Sequence, residues 1–268
     1  MMRVDKQEYQ LDRLANAFGQ AIQNHPALLT TFNYNEQSEL VQRYTPEIFE
    51  PIRVEHLTEF ELKYVRDRLV YPYQIIGGRL YRCRVFETEK AGYVFFDVHH
   101  TVFDGSSFKV FFQSVASAYQ GLELTKDYYY LMLRWREEDQ KSDYYRQSQK
   151  YFEDRYNGIE WDSYPRIDHQ SGEKDIGELR LPLGVEQPQM QAVERAYHVS
   201  RNEFFITVAL LAISIYNGTR DIRLSWIYNG RDDMQMMHSV GLLFRDLPVG
   251  IRFEDQMMLR QIFADVHN

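Results

Sequence analysis

Within seven residues, His99-His100-Thr101-Val102-Phe103-Asp104-Gly105 brings together two imidazoles, a carboxylate and a glycine, and a helical pattern begins immediately afterwards. An imidazole with an unperturbed pKa of about 6.5 exchanges protons near neutrality, so a loop histidine is a candidate general base. Glycine at 105 permits a sharp turn and the close approach of a ligand. The first helical turn brings unpaired N–H groups and the positive end of a dipole to the same place. Together these features specify a site whose working imidazole is His100.

The two histidines are not equivalent. If the strand that starts at Tyr93 continues through His100, its two-residue period sets Val94, Phe96, Val98 and His100 on one face and Tyr93, Phe95, Asp97 and His99 on the other. His100 then projects from a dry wall, and His99, beside Asp97, is structural. Adjacent strand histidines point opposite ways and no H-E-x-x-H pair accompanies them, so no metal site is expected. Cys83 lies between Arg82 and Arg84 without a nucleophile's local signature and reads as a small packed residue. No G-x-G-x-x-G, P-loop or G-x-S-x-G occurs, so the dinucleotide, nucleotide and serine-hydrolase readings have no sequence support.

Several elements must position this loop. Leu80 to Phe86 and Tyr93 to His100 carry the β-branched and aromatic residues of paired strands, joined by the polar Glu87 to Gly92 connection. Phe108, Phe111, Phe112, Val115 and Ala118 mark an amphipathic helix from Ser107 to Tyr119, with Ser106 or Ser107 as its cap. Upstream, Leu11, Leu14, Ala15, Phe18, Ala21 and Ile22 predict a helix from about Glu8 to Asn24 that Pro26 ends. Leu28 to Asn33 and Leu40 to Tyr44 look extended, Thr58 to Leu69 helical, and Asp143 to Tyr156 helical.

The most polar stretch, Ile167 to Gln189, is the expected lobe boundary, dividing residues 1–170 from 171–268. Beyond it, Ser200 to Glu203 forms a capping box, and Phe204 to Tyr216 is apolar nearly all round. Such a helix is expected to be buried between layers, followed by an interior strand from Ile222 to Ile227.

At 268 residues the chain is long enough for two packed subdomains. Its net charge of −8 and scattered basic residues argue against nucleic acid as a partner. One cysteine excludes an internal disulfide and fits a cytoplasmic setting. No apolar window approaches a membrane span and the N-terminus has no signal-like core, so no membrane association is expected.

His99 to Gly105 resembles the HHxxxDG signature of nonribosomal peptide synthetase condensation domains, within the wider chloramphenicol acetyltransferase-like group. Asn24-His25-Pro26-Ala27-Leu28-Leu29-Thr30-Thr31-Phe32 is similar to the family's RHxxLRTxF. Val240 to Pro248 is similar to its VGxFVNTLP, and Gly230-Arg231 stands where Gly-Arg is usual. The resemblance runs from about Leu11 to the end. It implies an α/β (α+β) fold of two lobes, mixed sheets with flanking helices, the second lobe incomplete, because the family's domain extends beyond both ends. It also implies that the chain by itself is a poor catalyst.

The implied reaction is amide formation between a donor acyl or peptidyl thioester and an acceptor aminoacyl amine. Both substrates ride on the 4'-phosphopantetheine arms of carrier domains, beside neighbouring synthetase domains, and no cofactor is bound directly. His100 is the catalytic residue; His99, Asp104 and Gly105 hold the loop, and Ser107 is a candidate substrate contact. Leu29 replaces the arginine implied to pair with the motif aspartate, Arg245-Asp246 replace Asn-Thr, and Gly250 stands for an arginine. Either Asp104 finds another cation, with Arg82 and Arg84 on the neighbouring strand the obvious candidates, or the loop is looser here. The competing expectations are an acyltransferase using acyl-CoA or an alcohol acceptor, and a degenerate or epimerising relative that binds carrier arms without forming a bond.

Overall fold

The computed structural model describes residues 1–165 and 178–267, and the expected boundary at 170/171 lies outside them. By contacts the chain forms two compact units, Met1–Ser142 with Asn229–Arg245, and Asp143–Tyr228 with Asp246–Asn268.

The first unit runs β1 (Met2–Val4), α1 (Leu11–Asn24), β2 (Thr30–Tyr34), β3 (Leu40–Tyr44), β4 (Val54–His56), α2 (Glu59–Arg66), β5 (Tyr81–Glu87), β6 (Gly92–Val98), α3 (Gly105–Gln120) and α4 (Tyr129–Asp139). The apolar stripe read for α1 is the stripe that is buried, and Pro26, which cannot continue a helix, instead opens a 3-10 turn over Pro26–Leu29. That turn takes the first residues of the extended run expected from Leu28, so β2 begins at Thr30. Thr58 caps α2 reciprocally with Glu61.

Four strands form one mixed sheet in the order β1-β6-β5-β4, with β4 parallel to β5 and the other pairs antiparallel. The β5–β6 hairpin aligns Tyr81 with Val98 and Val85 with Val94. Strand alternation sends Val85 and Val94 to a core shared with α1 and α3, where Phe18, Phe96 and Phe111 meet, the last two stacked at 4.5 Å. Phe86 and Phe95 point to the other face, against Leu62 of α2 and Leu69. β2 and β3 form a separate antiparallel hairpin.

The second unit runs α5 (Asp143–Tyr156), α6 (Gln187–Tyr197), α7 (Arg201–Asn217), β7 (Asp221–Tyr228), β8 (Arg245–Arg252, Arg245 itself grouping with the first unit) and α8 (Leu259–His267). Ser200 and Glu203 cap α7 and Gly218 ends it in the left-handed conformation. The expectation of an enclosed α7 does not hold. Thr207, Leu210 and Asn217 are buried, but Ile215 is 79% exposed, because α6, α8 and β7 cover one side only within this unit. Nor is β7 an interior strand: it pairs with β8 and meets Asp162 through one parallel bridge, Ile222 facing in and Ile227 out. An apolar helix needs cover, and its own sequence does not say how much of that cover the chain supplies. No single helix among the described residues is long and apolar enough to cross a membrane.

Phe111 is fully buried at the junction of α3, α1 and β6, whereas Phe108 on the same helix is 49% exposed. Phe111→Ala is therefore expected to cost about 3 to 5 kcal/mol in urea denaturation. Phe108→Ala should cost under about 1 kcal/mol.

Candidate active site

β6 ends at Val98, and the loop that follows is built by hydrogen bonds and by two core anchors. The His99 N–H donates to Leu80 O at 2.8 Å, the last tie to the hairpin, after which His100–Val102 wind into a 3-10 turn. His99 caps that turn: its Nδ1 accepts the Thr101 N–H at 3.2 Å and lies 2.9 Å from the Thr101 hydroxyl. Its ring meets Tyr73 edge-on at 5.5 Å. Val102 and Phe103 are buried in the main core, so the turn is fastened from below.

Because the strand stops two residues short, the alternation does not reach His100. The imidazole does not stand on the apolar face of Val94, Phe96 and Val98. It is exposed, with the ring of Phe244 perpendicular to it at 5.8 Å and, among the described residues, no hydrogen bond to its side chain. Gly105, the first residue of α3, has an ordinary backbone conformation, so the turn itself does not demand glycine. A Cβ there would meet nothing within 4 Å, which leaves open space beside the loop.

Asp104 caps α3 and is buried. Its Oδ1 accepts the Ser107 N–H (2.9 Å), the Ser107 hydroxyl (2.8 Å) and Arg231 Nη2 (2.9 Å). Its Oδ2 accepts Arg231 Nη1 (2.8 Å) and the Leu243 N–H (3.0 Å). Burial pushes the carboxyl up, but the Arg231 hydrogen bonds and charge, the Leu243 N–H and Ser107 outweigh it and hold Asp104 below its ordinary value.

Three expectations are corrected here. The counter-charge is Arg231, not Arg82 or Arg84. Arg82 lies opposite Asp97 across the hairpin and binds it at 2.8 Å, and Arg84 reaches Glu55 at 2.7 Å, so both are engaged at the sheet. The helix cap is Asp104 rather than Ser106 or Ser107. Ser107 is fully buried, bonded to Asp104 and to the N–H and C=O of Gly241, and offers no contact to a substrate. Leu29, where the resemblance has an arginine, is core at 1% exposure.

A second buried carboxylate has no motif around it. Asp127 Oδ2 takes His25 Nδ1 at 2.6 Å and the Val240 N–H at 2.9 Å, and Oδ1 takes the Tyr129 N–H; His25 Nε2 reaches Ser114 at 2.9 Å. Thus two aspartates grip residues 240–243 from two sides. The glycines of that segment are shaped to fit. A Cβ on Gly241 would fall 2.4 Å from the Tyr129 ring, and Gly230, at φ 69°, would meet Leu243 O at 2.1 Å. Arg136 donates to Leu243 O and Gly230 O. Gly230-Arg231 stood out in the sequence without a role, whereas Asp127 and Arg136 had no local signal. In the second unit, a Cβ on Gly250 would press on Tyr156 and the Ile222 carbonyl.

A family profile for the Condensation domain matches residues 1–268. Tyrocidine synthase 3 of Brevibacillus parabrevis is 24% identical over 267 residues, covering 95% of this chain and 4% of that synthase. Among solved structures, the condensation domain from Monacolin K polyketide synthase aligns at a TM-score of 0.72 and 18% identity, covering 97% of this chain and 64% of that one. The epimerization domain from the third module of tyrocidine synthetase B aligns at 0.75 and 19%, covering 96% and 64%. The chain therefore has the chloramphenicol acetyltransferase-like α/β fold and spans just under two thirds of these structures' length.

Asp104→Asn leaves Arg231 buried beside a neutral group and is expected to cost about 3 to 5 kcal/mol. Since the folded carboxyl is held below 3.8, its contribution is present above that pH and is lost as pH falls through the lower folded value. In denaturation series the deficit of the variant should thus be full at neutral pH and shrink below about pH 4.

Proposed function

Because the chain belongs to the condensation domain family, we propose that it forms an amide bond between two carrier-linked substrates, with His100 as base or positioner. The α-amine of an acceptor aminoacyl thioester attacks the carbonyl of a donor acyl or peptidyl thioester. The C–N bond forms, the C–S bond breaks, and the departing thiolate takes up a proton. Both substrates arrive on 4'-phosphopantetheine arms of carrier domains in a multidomain synthetase working in the cytoplasm; the arms belong to the substrates, not to this domain.

The observation that carries this reading is the contrast within the loop. The carboxylate is locked by five hydrogen bonds, two of them from the paired Arg231, and the imidazole four residues earlier is exposed. Asp104, buried and kept ionised, is committed to holding the chain and has no lone pair aimed at solvent. His100 has both ring nitrogens available, and an imidazole near neutrality takes up the proton that the amine releases on attack. Amide formation from a thioester runs downhill, so placing the amine contributes as much as base strength. The edge of α3, with Gly105 open beside it, leaves room for a thioester carbonyl near the first helical N–H groups.

The test loads donor and acceptor carriers and follows the condensed product by mass spectrometry. His100→Ala should lower the rate by about 10² to 10⁴-fold. Gly105→Ala, which meets no protein atom, should leave the denaturation midpoint unchanged and still slow condensation by about 10²-fold by displacing the substrate. Product only with acyl-CoA or an alcohol acceptor would assign the site to a sister acyltransferase. Inversion of a loaded residue without condensation would assign it to the epimerising branch.

A further inference from the structure

Scattered along the sequence, five arginines converge on one cavity of the first unit, away from the His100 loop. β4 pairs with β5 only from Val85 to Glu87, so beside Tyr81–Arg84 the sheet has no further strand. Residues near 50–53 and 68–71 form the opposite wall, and a space of about 420 Å³ remains between. Arg53, Arg68, Arg79, Arg82 and Arg84 line it, in a chain whose net charge is −8.

The charges are only partly answered. Arg79 pairs with Glu50, Arg84 with Glu55, and Arg82 with Asp97, whereas the guanidinium groups of exposed Arg53 and Arg68 have no ion-pair or hydrogen-bond partner among the described residues. Glu50 and Glu55 are the only carboxylates on the lining. Arg82 Cζ lies over the rings of Tyr71 and Tyr73, at 3.5 and 3.7 Å, and its hydrogen bonds to Asp97 and Tyr71 O fix the direction of the guanidinium.

Tyr81, on the same lining, is 3% exposed and its hydroxyl is closed off from the cavity. The Arg79 guanidinium lies 5.5 Å from its ring centroid. Cys83, also on the lining, is pushed up by burial and stays a neutral thiol, so the cavity has no nucleophile.

We propose that this cavity binds a small multivalent oxyanion, a phosphate or diphosphate group on an organic moiety, with Arg53 and Arg68 as the capturing cations. Guanidinium forks match phosphate oxygens two at a time, and a tetrahedral anion presents acceptors in several directions at once, which suits donors arriving from opposite walls. Leu69 and Phe95 give the organic part an apolar surface.

The experiment is calorimetric titration of the 268-residue chain with sodium pyrophosphate, inorganic phosphate and citrate at constant ionic strength. Saturable one-to-one binding of pyrophosphate is expected. The pair Arg53→Gln and Arg68→Gln, whose side chains hold nothing else, should weaken it by at least about tenfold with an unchanged melting temperature. Arg260→Gln, in the other unit, should change nothing. The assignment is overturned if none of the anions binds saturably, if the cavity variants bind as well as the parent, if Arg260→Gln weakens binding equally, or if citrate binds more tightly than pyrophosphate.

Discussion

Two charges removed from water lose several kcal/mol of hydration each, and their attraction returns this only when the remaining lone pairs and N–H groups are also answered. Asp104 and Arg231 come close to that condition. The carboxylate accepts five hydrogen bonds, and the guanidinium adds Asn229, Ser107 and Ser239 O to its fork, leaving only Nε without a partner. Everything the loop presents follows from this pair. Asp104 fixes the start of α3, Val102 and Phe103 fix the floor, and the intervening 3-10 turn holds His100 out to solvent.

The pair also closes the unit. Residues 229–245 return to the first unit after an excursion of more than eighty residues, and loop closure over that span is entropically unfavourable. Apolar contacts alone would leave the register of so short a segment loose. Asp127 and Asp104 instead take the N–H groups of Val240 and Leu243, three residues apart, so that only one placement satisfies both carboxylates. The glycines at 230 and 241 remove side chains where Leu243 O and the Tyr129 ring already stand. Phe244 then arrives beside His100 as a consequence of where Leu243 is bonded.

Departures from the family's pattern are absorbed by their surroundings rather than left as defects. Leu29 gives up a cation and gains a place in the apolar core, while the carboxylate it would have served is held by Arg231. Gly250 lies close against Tyr156 and the Ile222 carbonyl, where a Cβ would press on both. Asp246 bonds Ser225 across the two-stranded sheet of its own unit. Arg245, by contrast, is exposed, and nothing in the structure explains its change from the usual residue.

The sequence alone determined what depends on near neighbours. Hydrophobic spacing placed α1 and α3, the β5–β6 hairpin followed from alternation, and Ser200 with Glu203 announced the start of α7. The seven-residue motif located the loop for the same reason, since its histidines, aspartate and glycine are contiguous. What the tertiary structure decided are the pairings between residues far apart. Arg82 and Arg84 stand on the strand next to the motif, but Asp97 and Glu55 lie within their reach and Arg231 arrives at Asp104 from 127 positions away. The end of β6 at Val98 is equally non-local: the strand stops where a turn anchored by Val102 and Phe103 takes over, and this moves His100 off the apolar face. Local patterns report the preference of each segment for water or core. Which charge neutralises which is a choice among all groups that folding brings within a few ångströms, and no window of sequence contains that list.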